Sequence, residues 1–87
     1  MSELKAEDLK VGRVFCAKRP SKTGSLVLPV WNDREIIWVG LFEVQYDGPT
    51  VKTGSRYKII TKEKFLSWAK SDITDEMPKD GSWRPAY

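Results

Sequence analysis

The sequence contains no histidine and only one cysteine, Cys16. The first absence removes the side chain that moves protons near neutral pH. The two together exclude an internal disulfide and a cysteine–histidine metal cage, so no metal and no cofactor is expected. Long apolar runs are missing too. The longest, Ile36 to Phe42, has seven residues including Gly40, far short of the roughly 20 that a membrane helix needs. The first ten residues, MSELKAEDLK, are half charged and carry no apolar stretch of a secretory signal. A cytoplasmic protein with no membrane role is expected. Glycines do not gather into a phosphate-cradling loop either: Lys22-Thr23-Gly24 and Thr53-Gly54-Ser55 are isolated turns.

What is present suits one small domain. Eighty-seven residues leave no room for a second independent core, and at this size a few large side chains must supply most of the burial. Four Trp, three Tyr and three Phe are available for it, each removing roughly 150–250 Å² from water when buried. Charged residues make up 31% and apolar residues 40%, which argues against disorder over most of the chain.

The net charge of +3 is unevenly distributed. Met1 to Lys22 holds six basic residues against three acids, whereas Ser25 to Lys58 holds four of each and Ile59 onward five of each. The excess therefore sits in the first quarter, where Lys10, Arg13, Lys18, Arg19 and Lys22 follow one another without an acid between them.

Along the chain, residues 1–8 read as an N-terminal segment with one helical turn, residues 9–74 as the domain, and residues 75–87 as an irregular tail that Trp83 or Tyr87 pins down. Val11 to Ala17 has strand composition. Lys18 to Pro29, with two prolines and Gly24, reads as a long connection of a kind that is often functional in a domain this small. Leu26, Val27 and Leu28 within it are expected to dock on the body or form a short edge strand. After the Asn32-Asp33 turn, Arg34 to Val39 is a strand. Phe42 to Asp47 alternates strictly, placing Phe42, Val44 and Tyr46 on one face. Arg56 to Ile60 is a last strand. The period then changes to 3.6: Thr61 suits a helix N-cap, and Phe65, Leu66, Trp68, Ala69 and Ile73 form one apolar face over residues 62–73. The expected fold is mainly β with one C-terminal α-helix, an SH3-like small antiparallel barrel or a strongly curled sheet closed by that helix. An open α+β sheet with the helix across one face is the alternative.

From Asn32 on, the pattern Asn32-Asp33-Arg34, Ile36-Ile37-Trp38, Val44-Gln45-Tyr46-Asp47-Gly48-Pro49, Tyr57 and Phe65-Leu66-x-Trp68-Ala69 resembles a group of small tailed-phage and prophage proteins of no assigned function. The resemblance covers roughly Leu9 to Met77. It implies a phage or prophage setting inside a bacterial host cell, and it implies no activity.

Candidate chemistry is sparse. Cys16 has Lys18 and Arg19 nearby to activate a thiolate, but it lacks a base and reads as a small buried hydrophobe. Asp33 with Glu35 and Asp75 with Glu76 are acids of turns and tails. The chain is therefore expected not to be an enzyme and to take no small-molecule substrate. Two binding functions remain. One is a protein-interaction module for a host or phage protein, or for a second copy of the chain, with Leu26, Leu28, Trp31 and Trp83 at the interface. The other is nucleic-acid binding, in which Lys10, Arg13, Lys18, Arg19 and Lys22 track a phosphate backbone and outward aromatics stack on bases.

Overall fold

The computed structural model describes residues 4–51 and 56–87. It is mainly β with a single α-helix. The strands are β1 (Val14–Ala17), β2 (Lys22–Gly24), β3 (Pro29–Trp31), β4 (Arg34–Val39), β5 (Glu43–Asp47), β6 (Lys58–Thr61) and β7 (Ala69–Asp72), with helix α1 (Lys62–Trp68) between the last two. Five of them form one sheet in the order β6-β5-β4-β1-β7, antiparallel throughout. β2 and β3 make a separate hairpin. The helix thus joins the two edge strands. No strand pairing among the described residues closes the sheet into a barrel.

One face of the sheet and the helix enclose the main core of Leu9, Phe15, Ile36, Val44, Tyr46, Phe65 and Ala69. Phe65 is its centre. It meets Phe15 edge-on at 5.4 Å, Tyr46 at 6.1 Å and Trp68 at 5.3 Å between ring centroids, within the range where aromatic pairs gain beyond simple burial. The Arg34 guanidinium closes this cluster from outside, 4.3 Å from the Tyr46 ring centroid and 4.1 Å from that of Trp68. All four residues of β1 are buried, because both of its faces are covered. Phe15 joins the main core, while Val14 and Cys16 join Ile73 in a second cluster under Met77 and Trp83. The C-terminal segment is therefore the lid of the second core. Within it, residues Thr74–Glu76 form a 3-10 turn and Ala86 is buried.

Several sequence expectations are corrected. The helix expected over 62–73 stops at Trp68, and residues 69–72 are strand. The apolar spacing of Phe65, Ala69 and Ile73 fits a helix, whereas a strand with a bulge puts Ala69 in the main core and Ile73 in the second cluster. The edge of β1 decides between them. Its polar groups need partners, and β7 supplies them in the register Phe15 to Asp72 and Cys16 to Ser71. The N-cap reading of Thr61 holds, with its side chain accepting from the Lys64 N–H at 3.1 Å. Within the connection at 18–29, residues 22–24 and Pro29 belong to the β2–β3 hairpin, while 18–21 and 25–28 are irregular. Phe42 lies outside β5 and is exposed, so only Val44 and Tyr46 of the alternating set are buried. The expected N-terminal helical turn is a 3-10 turn at Ala6–Asp8, where the Asp8 carboxylate accepts from the Lys5 N–H at 2.8 Å. The turn expected at Thr53-Gly54-Ser55 lies outside the described residues.

Buried Gly48 shows what the close packing demands. A Cβ there would stand 2.8 Å from the Asp33 carbonyl oxygen, so the strand pair leaves no space for a side chain.

Candidate interaction surface

The β2–β3 hairpin pairs Lys22 with Trp31, Thr23 with Val30 and Gly24 with Pro29. At its tip the Ser25 hydroxyl accepts from the N–H of Val27 at 3.1 Å, a local turn of the kind serine favours. That turn satisfies the backbone while pointing three consecutive apolar side chains at solvent. Leu26 is 101% exposed, Val27 80% and Leu28 59%. The tip neither docks on the body nor adds to the main sheet.

The base of the hairpin is firmly held. Ser21 and Asn32 exchange two hydrogen bonds, from Ser21 N–H to Asn32 Oδ1 at 3.0 Å and from Asn32 N–H to the Ser21 carbonyl at 3.1 Å. The C-terminal segment runs along β3. Trp31 N–H donates to the Arg84 carbonyl at 3.1 Å and Ala86 N–H to the Pro29 carbonyl at 2.9 Å, with a bridge between Val30 and Pro85. Arg84 clamps this arrangement through a two-bond pair with Asp33, Nε to Oδ2 and Nη2 to Oδ1, both at 3.0 Å. The Asp33 side chain is 1% exposed. The expected turn residue Asp33 is thus a buried anchor, and Arg84 is its partner from the tail.

Between β3 and the tail lies an apolar groove of about 550 Å³. Leu28, Val30, Pro78, Trp83, Pro85 and Tyr87 form its walls and Asp80 its acidic edge. A second hollow of about 290 Å³ shares Pro78, Ser82 and Trp83 with it and holds Glu35 and Asp47 among Gly12, Val14 and Met77. Glu35 and Asp47 are directly opposed across β4 and β5, an arrangement of like charges that destabilises a sheet unless something offsets it. The two ion pairs among the described residues, Arg13–Asp72 and Arg84–Asp33, involve neither of them. Among the described residues no Lys or Arg lines either hollow.

The five basic candidates do not converge. Arg13 Nε donates to Asp72 Oδ2 at 2.7 Å, and that hydrogen bond raises its pKa against the opposing effect of burial. Burial alone would push the Asp72 carboxyl up, but the Thr74 hydroxyl, Arg13 and the Thr74 N–H together outweigh it and hold the group below its ordinary value. Lys10 is exposed on the near side of β1, and Lys18 and Arg19 on the far side. The four residues of β1 separate the two groups by roughly 13 Å at about 3.3 Å per residue. Lys22 opens the first arm of the hairpin opposite Trp31, and Lys18 and Arg19 lie just before it.

Of the four expected interface residues, Leu26 and Leu28 are at the tip, while Trp31 and Trp83 are half-buried. Trp83 covers the second core, and the Arg84 guanidinium lies 5.8 Å from the Trp31 ring centroid. Cys16 is buried, with Sγ 3.3 Å from the Ser71 hydroxyl, and acts as a packing residue. No group of three or more metal-ligating side chains lies together among the described residues. No helix among them is long and apolar enough to cross a membrane.

Of the aromatics that the nucleic-acid reading could use, Trp38 and Tyr57 are exposed on a second apolar face, while Tyr46 is buried and Trp31 half-buried. Trp38, Gln45 and Ile59 sit side by side across β4, β5 and β6, with Leu41, Phe42 and Tyr57 also exposed. The Trp38 ring lies over Gly40, where any Cβ would overlap it. The signal for that face was the Trp-x-Gly spacing, which the β-branched run around it masked. Compared with known proteins, the chain matches no family model, no curated protein and no solved structure.

Proposed function

We propose that this chain is a protein-interaction module, a non-enzymatic accessory protein of phage or prophage type that docks a partner through the β2–β3 hairpin and the groove beside it. One observation carries the reading: three consecutive apolar side chains project from a well-anchored hairpin next to an apolar groove walled by Trp83, Pro85 and Tyr87. Exposed apolar surface of this kind, set in a polar surround, marks an interaction site on a small soluble protein. Aromatic side chains there favour tight contacts. The firm base matters because an anchored tip loses less conformational entropy on docking than a free loop. The sheet order, the helix joining both edge strands and the long hairpin inserted between β1 and β4 support an SH3-like, half-open barrel as the scaffold. The phage or prophage setting, and with it the cytoplasm of a bacterial host, rests on the sequence pattern from Asn32 to Ala69.

The test places a photo-activated cross-linker at Leu26 and, as a control, at Glu63 on α1, in chain expressed in a bacterial host. The expected result is a discrete protein adduct from position 26 and none from position 63. No adduct at position 26 would sink the reading. So would steeply salt-dependent retention on a DNA column that is lost in Lys18→Ala with Arg19→Ala, since that outcome assigns the hairpin arm to phosphate contacts.

A further inference from the structure

We infer that the partner seated in the groove is a second copy of this chain, whose hairpin tip enters the groove while its own groove receives the first tip. The inference rests on the interaction-module reading and names the occupant. Its basis is complementarity within one molecule. The groove is apolar at Leu28, Val30, Pro85 and Tyr87, with acids at Asp80 in its lining and at Glu35 and Asp47 in the neighbouring hollow. No cation among the described residues lines it, in a chain that carries 15 basic residues against 12 acidic ones. The matching ligand is an extended or hairpin segment with apolar side chains at its tip and positive charge on its arm.

The β2–β3 hairpin has that composition. Leu26, Val27 and Leu28 form the tip, and Lys18, Arg19 and Lys22 lie on or just before the leading arm, all exposed. Position favours the pairing as well. Leu28 belongs to both the tip and the groove wall, so a two-fold axis passing close to Leu28 and Val30 lays each tip over the other copy's groove. Such an isologous interface uses one patch twice and closes on itself. The acids Asp80, Glu35 and Asp47, which form no ion pair among the described residues, would face the basic residues at the base of the other copy's hairpin.

Sedimentation velocity and light scattering between about 1 and 300 μM test this. Wild type is expected to move from the 10.0 kDa monomer to twice that mass as concentration rises. Its affinity should fall severalfold between low and high salt, because part of the contact is charge on charge. Leu26→Asp, at a fully exposed tip position, and Tyr87→Asp, at a groove-wall residue that is 78% exposed, should each remain monomeric while keeping the wild-type circular dichroism and thermal midpoint. Mixing the two variants is decisive. A mixed pair retains one intact tip against one intact groove, so a heterodimer weaker than wild type is expected where each variant alone gives none.

A 10.0 kDa species at every concentration would overturn the inference. So would a dimer untouched by either variant, which would point to another face such as Trp38 and Ile59. A salt-independent dimer would overturn the charge pairing. A monomer that still gives a protein adduct from position 26 retains the module with a different partner; a monomer giving no adduct ends both readings.

Discussion

Replacing Arg84 with alanine is expected to destabilise the protein by about 3–5 kcal/mol, the cost of stranding one member of a buried ion pair. The figure follows from where the two groups sit. The Asp33 side chain is 1% exposed and, among the described residues, both of its oxygens take hydrogen bonds from Arg84 alone. Without the guanidinium the carboxylate has neither charge partner nor donor, and water must be let into the base of the hairpin. A domain of this length holds roughly 4–13 kcal/mol in all, at about 0.05–0.15 kcal/mol per residue, so the loss is a large share of the total. The reverse substitution is milder. In Asp33→Asn the side chain left behind is Arg84, 26% exposed and able to turn its charge to solvent, so a loss of about 1–2 kcal/mol is expected. Arg84→Lys keeps the charge but offers a point donor in place of a planar fork, and should fall between the two. Urea unfolding followed by far-ultraviolet circular dichroism measures all three. Near 4–8 °C per kcal/mol for a domain of this size, Arg84→Ala should lower the thermal midpoint by at least about 12 °C. If the tail peels away before the rest unfolds, the amides of Trp31 and Ala86 lose their hydrogen-exchange protection first, since both donate across this junction. An Arg84→Ala protein within about 0.5 kcal/mol of wild type with those amides still protected would refute the reasoning. So would an Asp33→Asn cost equal to that of Arg84→Ala.

Phe65→Ala removes the ring that Phe15, Tyr46 and Trp68 all pack against and should cost about 3–5 kcal/mol, enough to leave much of the chain unfolded at 37 °C; a cooperative transition with an unchanged midpoint would contradict the assigned core. The acid limb of stability should report Asp72. Its folded pKa is depressed, so its contribution is present above the ordinary carboxylate range and is lost as pH falls through that range toward the folded value. Arg13→Ala removes one cause of the depression and should move that loss to higher pH; superimposable acid titrations of the two proteins would count against the pair. Gly40→Ala should displace the Trp38 ring with little change in stability, because the obstacle is the far end of a movable side chain. The check is altered tryptophan emission that disappears in a Trp38→Phe background.

Much of the architecture was legible because it rests on local rules. Alternation at Val44 and Tyr46, β-branched and aromatic runs at Arg34 to Val39, and an N-cap threonine before Phe65 each specify backbone conformation within a few residues. The missing histidine and the lone thiol likewise bounded the chemistry at the level of composition. The Ala69–Asp72 segment was not legible, since the spacing of Phe65, Ala69 and Ile73 matches a helix and the strand that forms instead carries a bulge. The unpaired edge of β1, more than fifty residues away in sequence, chooses between them. The same limit hid Asp33. A short polar residue after an asparagine reads as a turn, and only the return of Arg84 along β3 makes it a buried anchor.

For the surface, composition alone set an acid-free basic stretch beside an apolar, proline-bounded one. Folding then divided the basic stretch across β1, paired Arg13 with Asp72, and put Lys22 on the hairpin that carries Leu26 to Leu28, with Lys18 and Arg19 just before it. Sequence determines which side chains a chain can offer and how each short segment bends. Which of them face water together depends on strand order and on the path of the C-terminal segment, and those are settled by contacts between residues far apart in the chain.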